Sequence, residues 1–227
     1  MKRSESTVEE LAATQPVSFE DEYFERVYEG DYFRRNPGYK IRSFLERILL
    51  FKKKGRLLDV GCAYGLFLKQ ASNYFECEGV DISKHALAYA NRHLIGRVKL
   101  HLGNVESMEL ERKFDVITCF DVLEHLQKLK GGLVSIKKHL IPGGILVFSV
   151  PVYDGVVGRL VELVDKDETH FQKRSRSFWL KTMEKQGFRV LLFEGIFRYF
   201  LLNGVYINFI SRYIRSFSPA ILVVAQK

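Results

Sequence analysis

The sequence predicts an α/β fold, a largely parallel sheet with helices on both faces, and three observations carry that expectation. Short apolar runs alternate with amphipathic stretches along most of the 227 residues, the rhythm of strands in one parallel sheet with crossover helices over it. The run Leu57-Leu58-Asp59-Val60 passes through Gly61-Cys62-Ala63-Tyr64-Gly65 into an amphipathic restart, so a buried strand ends in a tight glycine turn. A second apolar run closes on Gly79-Val80-Asp81, where a strand-end carboxylate can accept hydrogen bonds from both hydroxyls of a ribose.

The elements follow in order. Residues 1–18 read as a loose, charged tail, and residues 19–54 as a helical lid. The lid opens with Tyr23, Phe24, Tyr28, Tyr32 and Phe33 and turns at Asn36-Pro37-Gly38. Tyr39, Ile41, Phe44, Leu45, Ile48 and Leu49 then mark an amphipathic helix, stopped by Lys52-Lys53-Lys54-Gly55. Residues 55–227 form the main domain. Strands are expected at 57–60, 77–81, 98–102 and 114–120, with helices at 65–75, after Ser83 and up to Leu140. Ser83 is a plausible N-cap. Pro142-Gly143-Gly144 is a turn before a fifth strand, Ile145–Val150. A helix at 177–186, closed by Gly187, precedes a sixth strand at 188–193, and Ala220–Ala225 makes a seventh. The uncharged stretch from Tyr199 to Ser211 falls short of the roughly 20 apolar residues that span a bilayer. It reads as a buried hairpin or dimer surface, with interfacial membrane contact as the alternative.

Composition narrows the class. Apolar residues make up 47% of the chain, which excludes global disorder. Cys62, Cys77 and Cys119 fall in or beside core strands with no Cys-x-x-Cys pair, so neither a disulfide framework nor a zinc site is expected. A polar, acidic start without a secretory signal pattern points to the cytoplasm. The net charge of +8 is uneven: His170–Lys227 carries ten Lys or Arg against two Glu, while the first 31 residues carry nine acids against three bases. Such asymmetry suits either a solvated basic face or an anionic membrane surface. Nucleic acid is the weaker partner, because no RNA-binding module signature is present.

The joint pattern of the glycine turn and the second strand-end acid resembles the class I methyltransferases that use S-adenosylmethionine. Phe114-Asp115-Val116-Ile117-Thr118-Cys119-Phe120-Asp121-Val122-Leu123-Glu124-His125-Leu126 is similar to their fourth-strand motif, and Leu140–Leu146 to the turn before their fifth strand. His170-Phe171, with Ser177, Trp179, Leu180, Gly187 and Phe188, resembles the ubiquinone-biosynthesis type of subfamily. The rival is a dinucleotide-binding domain, whose Gly-x-Gly-x-x-Gly fingerprint is broken here by Ala63 and Leu66.

The resemblance implies a Rossmann-like seven-stranded, mostly parallel sheet of order 3-2-1-4-5-7-6 with the seventh strand antiparallel, and S-adenosyl-L-methionine as cofactor. It implies that Asp59 and the backbone at Gly61, Cys62, Ala63 and Gly65 hold the methionine moiety. Asp81 binds the ribose, Ile82 packs on the adenine, Asn104 and Val105 meet its edge, and Phe120 lines the transfer channel. Ala63 stands where glycine is commoner and is tolerable at negative φ. Tyr32, Tyr39 or Arg42 is expected to reach the methionine end. His125, whose unperturbed pKa lies near neutrality, is the candidate base for a hydroxyl acceptor, expected one helical turn after Asp121. On such a helix Asp121, Glu124 and His125, joined by His170, also offer a divalent ion one face; the preferred expectation is a metal-free site.

The function expected is O-methylation of a small or lipid-like, quinol-type acceptor by a monomer or homodimer, with possible contact to an anionic membrane. The alternatives are an RNA or carbohydrate methyltransferase and a cofactor-binding regulatory subunit without catalysis.

Overall fold

The computed structural model describes residues 32–94, 96–165, 167–200 and 206–227. The expected tail, and Tyr23, Phe24 and Tyr28 of the lid, lie outside the described residues.

Two helices come first, α1 (Tyr32–Arg35) and α2 (Gly38–Leu49). There follow β1 (Arg56–Val60), α3 (Leu66–Ala71), β2 (Glu76–Asp81), α4 (Lys84–Leu94), β3 (Lys99–Leu102) and β4 (Phe114–Phe120). A 3-10 turn, Leu123–His125, leads to α5 (Leu129–His139), β5 (Leu140–Pro151), α6 (Gly155–Val164) and α7 (Arg176–Lys185). The chain closes with β6 (Arg189–Phe200), β7 (Tyr206–Ser211) and β8 (Ala220–Gln226).

The eight strands form one sheet in the order β3-β2-β1-β4-β5-β8-β6-β7. The first five run parallel, and β8, β6 and β7 pair antiparallel. The expected order therefore holds, with β8 as the predicted seventh strand and one extra strand, β7, at the edge. That strand arises because β6 runs on to Phe200 and the apolar stretch folds back on it as a hairpin, pairing Phe197 with Phe209.

Alternation along the strands fills both faces of the sheet. Leu58 of β1 joins α5 residues Leu129, Leu133 and Ile136 and α7 residues Trp179 and Met183 on one face. Leu57 joins Ile41, Phe44, Leu45 and Ile48 of α2, with Phe67 and Leu68 of α3, on the other. Period-2 side chains buried on both sides explain why these strands read as continuous apolar runs.

Local signals act where expected. Ser83 Oγ accepts from Ala86 N–H at 3.1 Å, and Ser175 caps α7 through Phe178 N–H at 3.1 Å. Pro142-Gly143-Gly144 forms no clean break: β5 starts at Leu140, and the register against β4 shifts between Phe114 and Val116. The predicted helix directly after β4 is instead the 3-10 turn, followed by α5.

In-register pairing of Val60 with Val80 and with Cys119, and of Phe120 with Ser149, brings the carboxyl ends of β1, β2, β4 and β5 to one edge. Asp59, Asp81 and Asp121 therefore stand together there.

Candidate active site

At this edge lies a cavity of about 360 Å³ lined by Asp59, Gly61, Cys62, Ala63, Asp81, Ile82, Asn104, Val105, Phe120, Asp121 and His125, with Tyr32, Asn36, Lys40, Ile41 and Phe44 closing it from α1, α2 and the turn between them. All the sequence-predicted site residues except Gly65 line it.

The glycine turn is built by conformation and packing together. Gly61 and Gly65 have φ of 70° and 74°, in the left-handed region that favours glycine. A Cβ on Gly61 would collide with Val122, and one on Gly65 would meet Leu94 at 2.6 Å. Gly65 thus supports the turn from behind. Ala63 also has positive φ, 44°, contrary to the negative φ expected for it. Its N–H donates to Asp81 Oδ2 at 2.8 Å, which helps hold a conformation that costs an L-residue roughly 1–2 kcal/mol.

Asp81 accepts a second backbone N–H, from Ser83, on Oδ1 at 2.9 Å, so it organises the turn as well as facing the cavity. The N–H groups of Gly61 and Cys62 both point at the Val80 carbonyl, at 2.8 and 3.2 Å. With those of Ala63 also taken, what this loop retains for a ligand is carbonyl oxygen, which suits an ammonium. Asp59 is buried and accepts from Thr118 Oγ1 at 2.6 Å. Burial raises its carboxyl to about 7, against the Thr118 hydrogen bond, with the Asp81 charge adding to the rise.

Ile82 is 46% exposed at the rim, an apolar shelf for a flat ring. Asn104 Oδ1 accepts from Glu106 N–H at 2.9 Å, which assigns the amide and makes its NH₂ the donor that remains. Phe120 stacks on Phe44 with ring centroids 4.5 Å apart and meets Phe67 edge-on.

Sequence reasoning missed Lys40. Its side chain is 6% exposed, and Nζ donates to Asn36 Oδ1 at 2.9 Å. Burial and the neighbouring Arg198 charge pull it down to about 8, while Asp121 acts the other way. Its spacing of four from Phe44 and eight from Ile48 places it on the buried face of α2 and was the available signal. Tyr39 instead donates to the Tyr206 carbonyl at the surface, and Arg42 lines a separate outer groove with Glu46 and Gln70. Of the three lid residues expected at the methionine end, Tyr32 alone lines the cavity.

Beyond β4, Asp121 adopts φ of 56° and is gripped by both Arg198 amino groups and by Ser149 Oγ at 2.9 Å. Burial alone would raise its carboxyl, but the Arg198 charge holds it well below the usual carboxylate range. Asp121 is therefore unavailable to a metal ion, and the 3-10 turn removes the helical face on which the four-residue grouping rested. The remaining three converge: Glu124, His125 and His170 place one ligand atom each within 4.8 Å of one another. Glu124 is 1% exposed, and its Oε2 has no hydrogen-bond partner among the described residues. Burial and then the Asp121 charge push its carboxyl well up. An orphaned buried carboxyl beside two imidazoles fits a divalent ion, which would take the place of its proton.

His125 Nδ1 lies 2.7 Å from Thr169 Oγ1 and 3.2 Å from the Thr169 carbonyl. A carbonyl only accepts, so Nδ1 carries the proton and Nε2 is the basic nitrogen. Burial and the adjacent His170 ring lower the imidazole to about 4, so it is neutral at pH 7 and a weaker base than the near-neutral group expected from the sequence.

Comparison with known proteins agrees with this geometry. Residues 32–192 match the family model described as a methyltransferase domain. A ubiquinone biosynthesis O-methyltransferase, mitochondrial, from Schizosaccharomyces pombe is 34% identical over 113 residues, 47% of this chain and 40% of that protein. A dTDP-3-amino-3,6-dideoxy-alpha-D-glucopyranose N,N-dimethyltransferase from Streptomyces fradiae is 34% identical over 100 residues, 42% and 39% of the two chains. The chain thus spans less than half the length of these curated relatives. The N-methyltransferase NodS from Bradyrhizobium japonicum WM9, solved with S-adenosyl-l-homocysteine, shares the fold at a TM-score of 0.64 and 15% identity, covering 91% of this chain and 97% of that one. A glycine turn between two strand-end acids, over a cavity at the carboxyl edge of this sheet, and the domain match have one reading: the chain belongs to the methyltransferase domain family, the class I S-adenosylmethionine-dependent methyltransferases.

Proposed function

We propose that this protein transfers the methyl group of S-adenosylmethionine to a hydroxyl oxygen of a small, lipid-like acceptor of quinol type, with His125 as general base. The observation that carries the reading is the fixed tautomer of His125: a neutral imidazole, held at Nδ1 by Thr169, lining the same cavity as the cofactor carboxylates.

Asp59 takes the methionine ammonium and Lys40 the methionine carboxylate. Carbonyls of the Gly61-Cys62-Ala63 turn complete the ammonium's partners. Asp81 receives the ribose hydroxyls on its carboxylate. Ile82 covers the adenine, while the Asn104 amide and the backbone at Val105 meet its edge. The acceptor hydroxyl gives its proton to His125 Nε2 as its oxygen bonds the methyl carbon, the carbon–sulfur bond breaks, and S-adenosylhomocysteine leaves. Because sulfonium is an excellent leaving group, alignment past Phe120 supplies much of the acceleration. Residues 19–54 act as the lid, of which α1 and α2 are the described part.

Phe120, Val122, Leu126 and Phe171 make the acceptor side apolar, which favours a quinol-like ring over a sugar or RNA. Three buried, free cysteines fit a reducing compartment, and we place the protein in the cytoplasm. A second reading has one observation behind it: the orphaned Glu124 carboxylate beside His125 and His170 would hold a divalent ion, which would lower the pKa of the acceptor hydroxyl in place of a base.

The test is turnover with a panel of catechol and quinol acceptors, with cofactor binding measured by calorimetry. His125→Ala should depress turnover by about 10²–10⁴-fold, the usual worth of a general base, with S-adenosylhomocysteine affinity intact. Full activity of that variant would remove His125 as base. Activity lost to a chelator and restored by Mg²⁺ would replace the base by the ion.

A further inference from the structure

Helix α6 carries its apolar stripe on the side away from the protein. Val156, Leu160, Leu163 and Val164 are 79%, 58%, 82% and 73% exposed, and at helical spacing they share one face with Val157 and Val161. The only fully buried position is Gly158, whose missing Cβ lets the helix lie on the Tyr153 backbone, 2.5 Å from where a Cβ would sit. Arg159 and Glu162 are exposed as well. A core helix has the reverse arrangement.

The stripe continues onto neighbouring aromatics. Arg176 ties Asp154, just before α6, at 3.3 Å to the carbonyls of Ser216 and Ser218, so the loop bearing Phe217 abuts the start of the helix. That loop crosses Gly195 of β6, where a Cβ would meet the Ile214 backbone at 2.7 Å. Phe197 and Phe209, paired across the hairpin, therefore lie on the same face of the sheet as the loop. Phe197, Phe209, Tyr213 and Phe217 are all large and exposed.

Basic groups outnumber acidic ones around this surface. Asp154 and Asp165 are turned onto Arg176, His170 and Lys173, and Asp167 takes the Thr169 hydroxyl at 2.5 Å. Among the described residues, the exposed charged groups left on these segments are Arg159, Arg174, Arg212 and Arg215 against Glu162 and Glu168.

We propose that α6, with the Phe217 loop and the β6–β7 hairpin, docks peripherally on an anionic lipid bilayer. A helix of ten residues, about 15 Å long, lies in the interface with its aliphatics below the headgroups and the arginines among them. The same β5–α7 connection holds Phe171, which lines the cavity and is 39% exposed. Delivery of a membrane-dissolved acceptor past Phe171 would rest on the function proposed above.

Sedimentation of the full chain with vesicles tests the docking without cofactor or acceptor. Binding to phosphatidylcholine vesicles should be weak, and added phosphatidylglycerol should raise it by about tenfold or more in a salt-sensitive way. The pair Leu160→Glu and Leu163→Glu should abolish sedimentation while the melting temperature stays unchanged. Arg159→Glu with Arg212→Glu should remove the preference for phosphatidylglycerol. Failure to bind either vesicle, or unchanged binding by the leucine variant, would overturn the proposal. So would a dimer of the chain that the leucine variant dissociates, because a second copy would then cover the stripe. Vesicle binding without methyl transfer would break the proposed function and leave docking standing; turnover by a protein that never sediments would do the opposite.

Discussion

Helices α2 and α6 carry similar apolar stripes and put them to opposite uses. Ile41, Phe44, Leu45 and Ile48 of α2 are almost wholly buried against the sheet, whereas α6 buries only Gly158. Periodicity states that a stripe exists; what it meets is decided by the rest of the chain. Helix α2 sits over β1 and β4 and presents a cation, Lys40, to the cavity. Helix α6 hangs on a glycine contact and one arginine tether, and its stripe faces water.

The sharpest way to break this contrast is to cut each stripe. Ile48→Ala should destabilise the protein by about 2–5 kcal/mol, the cost of a deleted core side chain and its cavity, read as a lower urea midpoint. A smaller loss would mean that α2 is docked more loosely than its burial implies.

Next in size is the site that α2 closes. Asp59 must be ionised to hold an ammonium, so cofactor affinity should fall as pH drops below about 7, by up to about tenfold per pH unit. Lys40 must be protonated to hold a carboxylate, so affinity should also fall as pH rises above about 8. Titration calorimetry with S-adenosylhomocysteine should give a maximum between these limits, and Lys40→Met should remove the alkaline limb alone. An alkaline limb surviving in Lys40→Met would belong to the ligand's own ammonium and take Lys40 out of the site.

The Asp121–Arg198 pair joins β6 to the same region. Arg198→Met should cost about 1–3 kcal/mol, because it leaves the half-buried Asp121 carboxylate without its charged partner; equilibrium unfolding at neutral pH checks it. The smallest effect belongs to α6. Leu160→Ser should change stability by less than about 0.5 kcal/mol, as for surface positions, and a large loss would show that the stripe is covered within the chain itself.

Much of the site was legible in the sequence because it is local. Leu57 to Gly65 and Gly79 to Asp81 are short segments whose residue types dictate strand, turn and acid in one pass, and the structure brings them together as expected. What escaped was non-local or conformational. Nothing near Asp121 announces Arg198, which arrives from a strand 77 residues later and withdraws that carboxylate from any metal. The left-handed Ala63 was unreadable because its conformation depends on the bond from Asp81. The extra strand β7 was hidden in a stretch whose apolar character suited a hairpin, a dimer face or a membrane equally. Lys40 was legible in principle, on the heptad-like face of α2, but a lone lysine there reads as solvated until the cavity beside it is known.

The place of β8 has a consequence for biosynthesis. It lies between β5 and β6 yet leaves the ribosome after both. Until it emerges, β5 shows an open ladder on one side and the β6–β7 hairpin has no sheet to join, so the nascent chain carries two unpaired strand edges at once. Translation proceeds at about 5–20 residues per second, and the 19 residues from Leu201 to Pro219 must pass before the gap can be filled. During that interval the unpaired edges are open to a neighbouring nascent copy, and slowing synthesis over this stretch should raise its yield of aggregate.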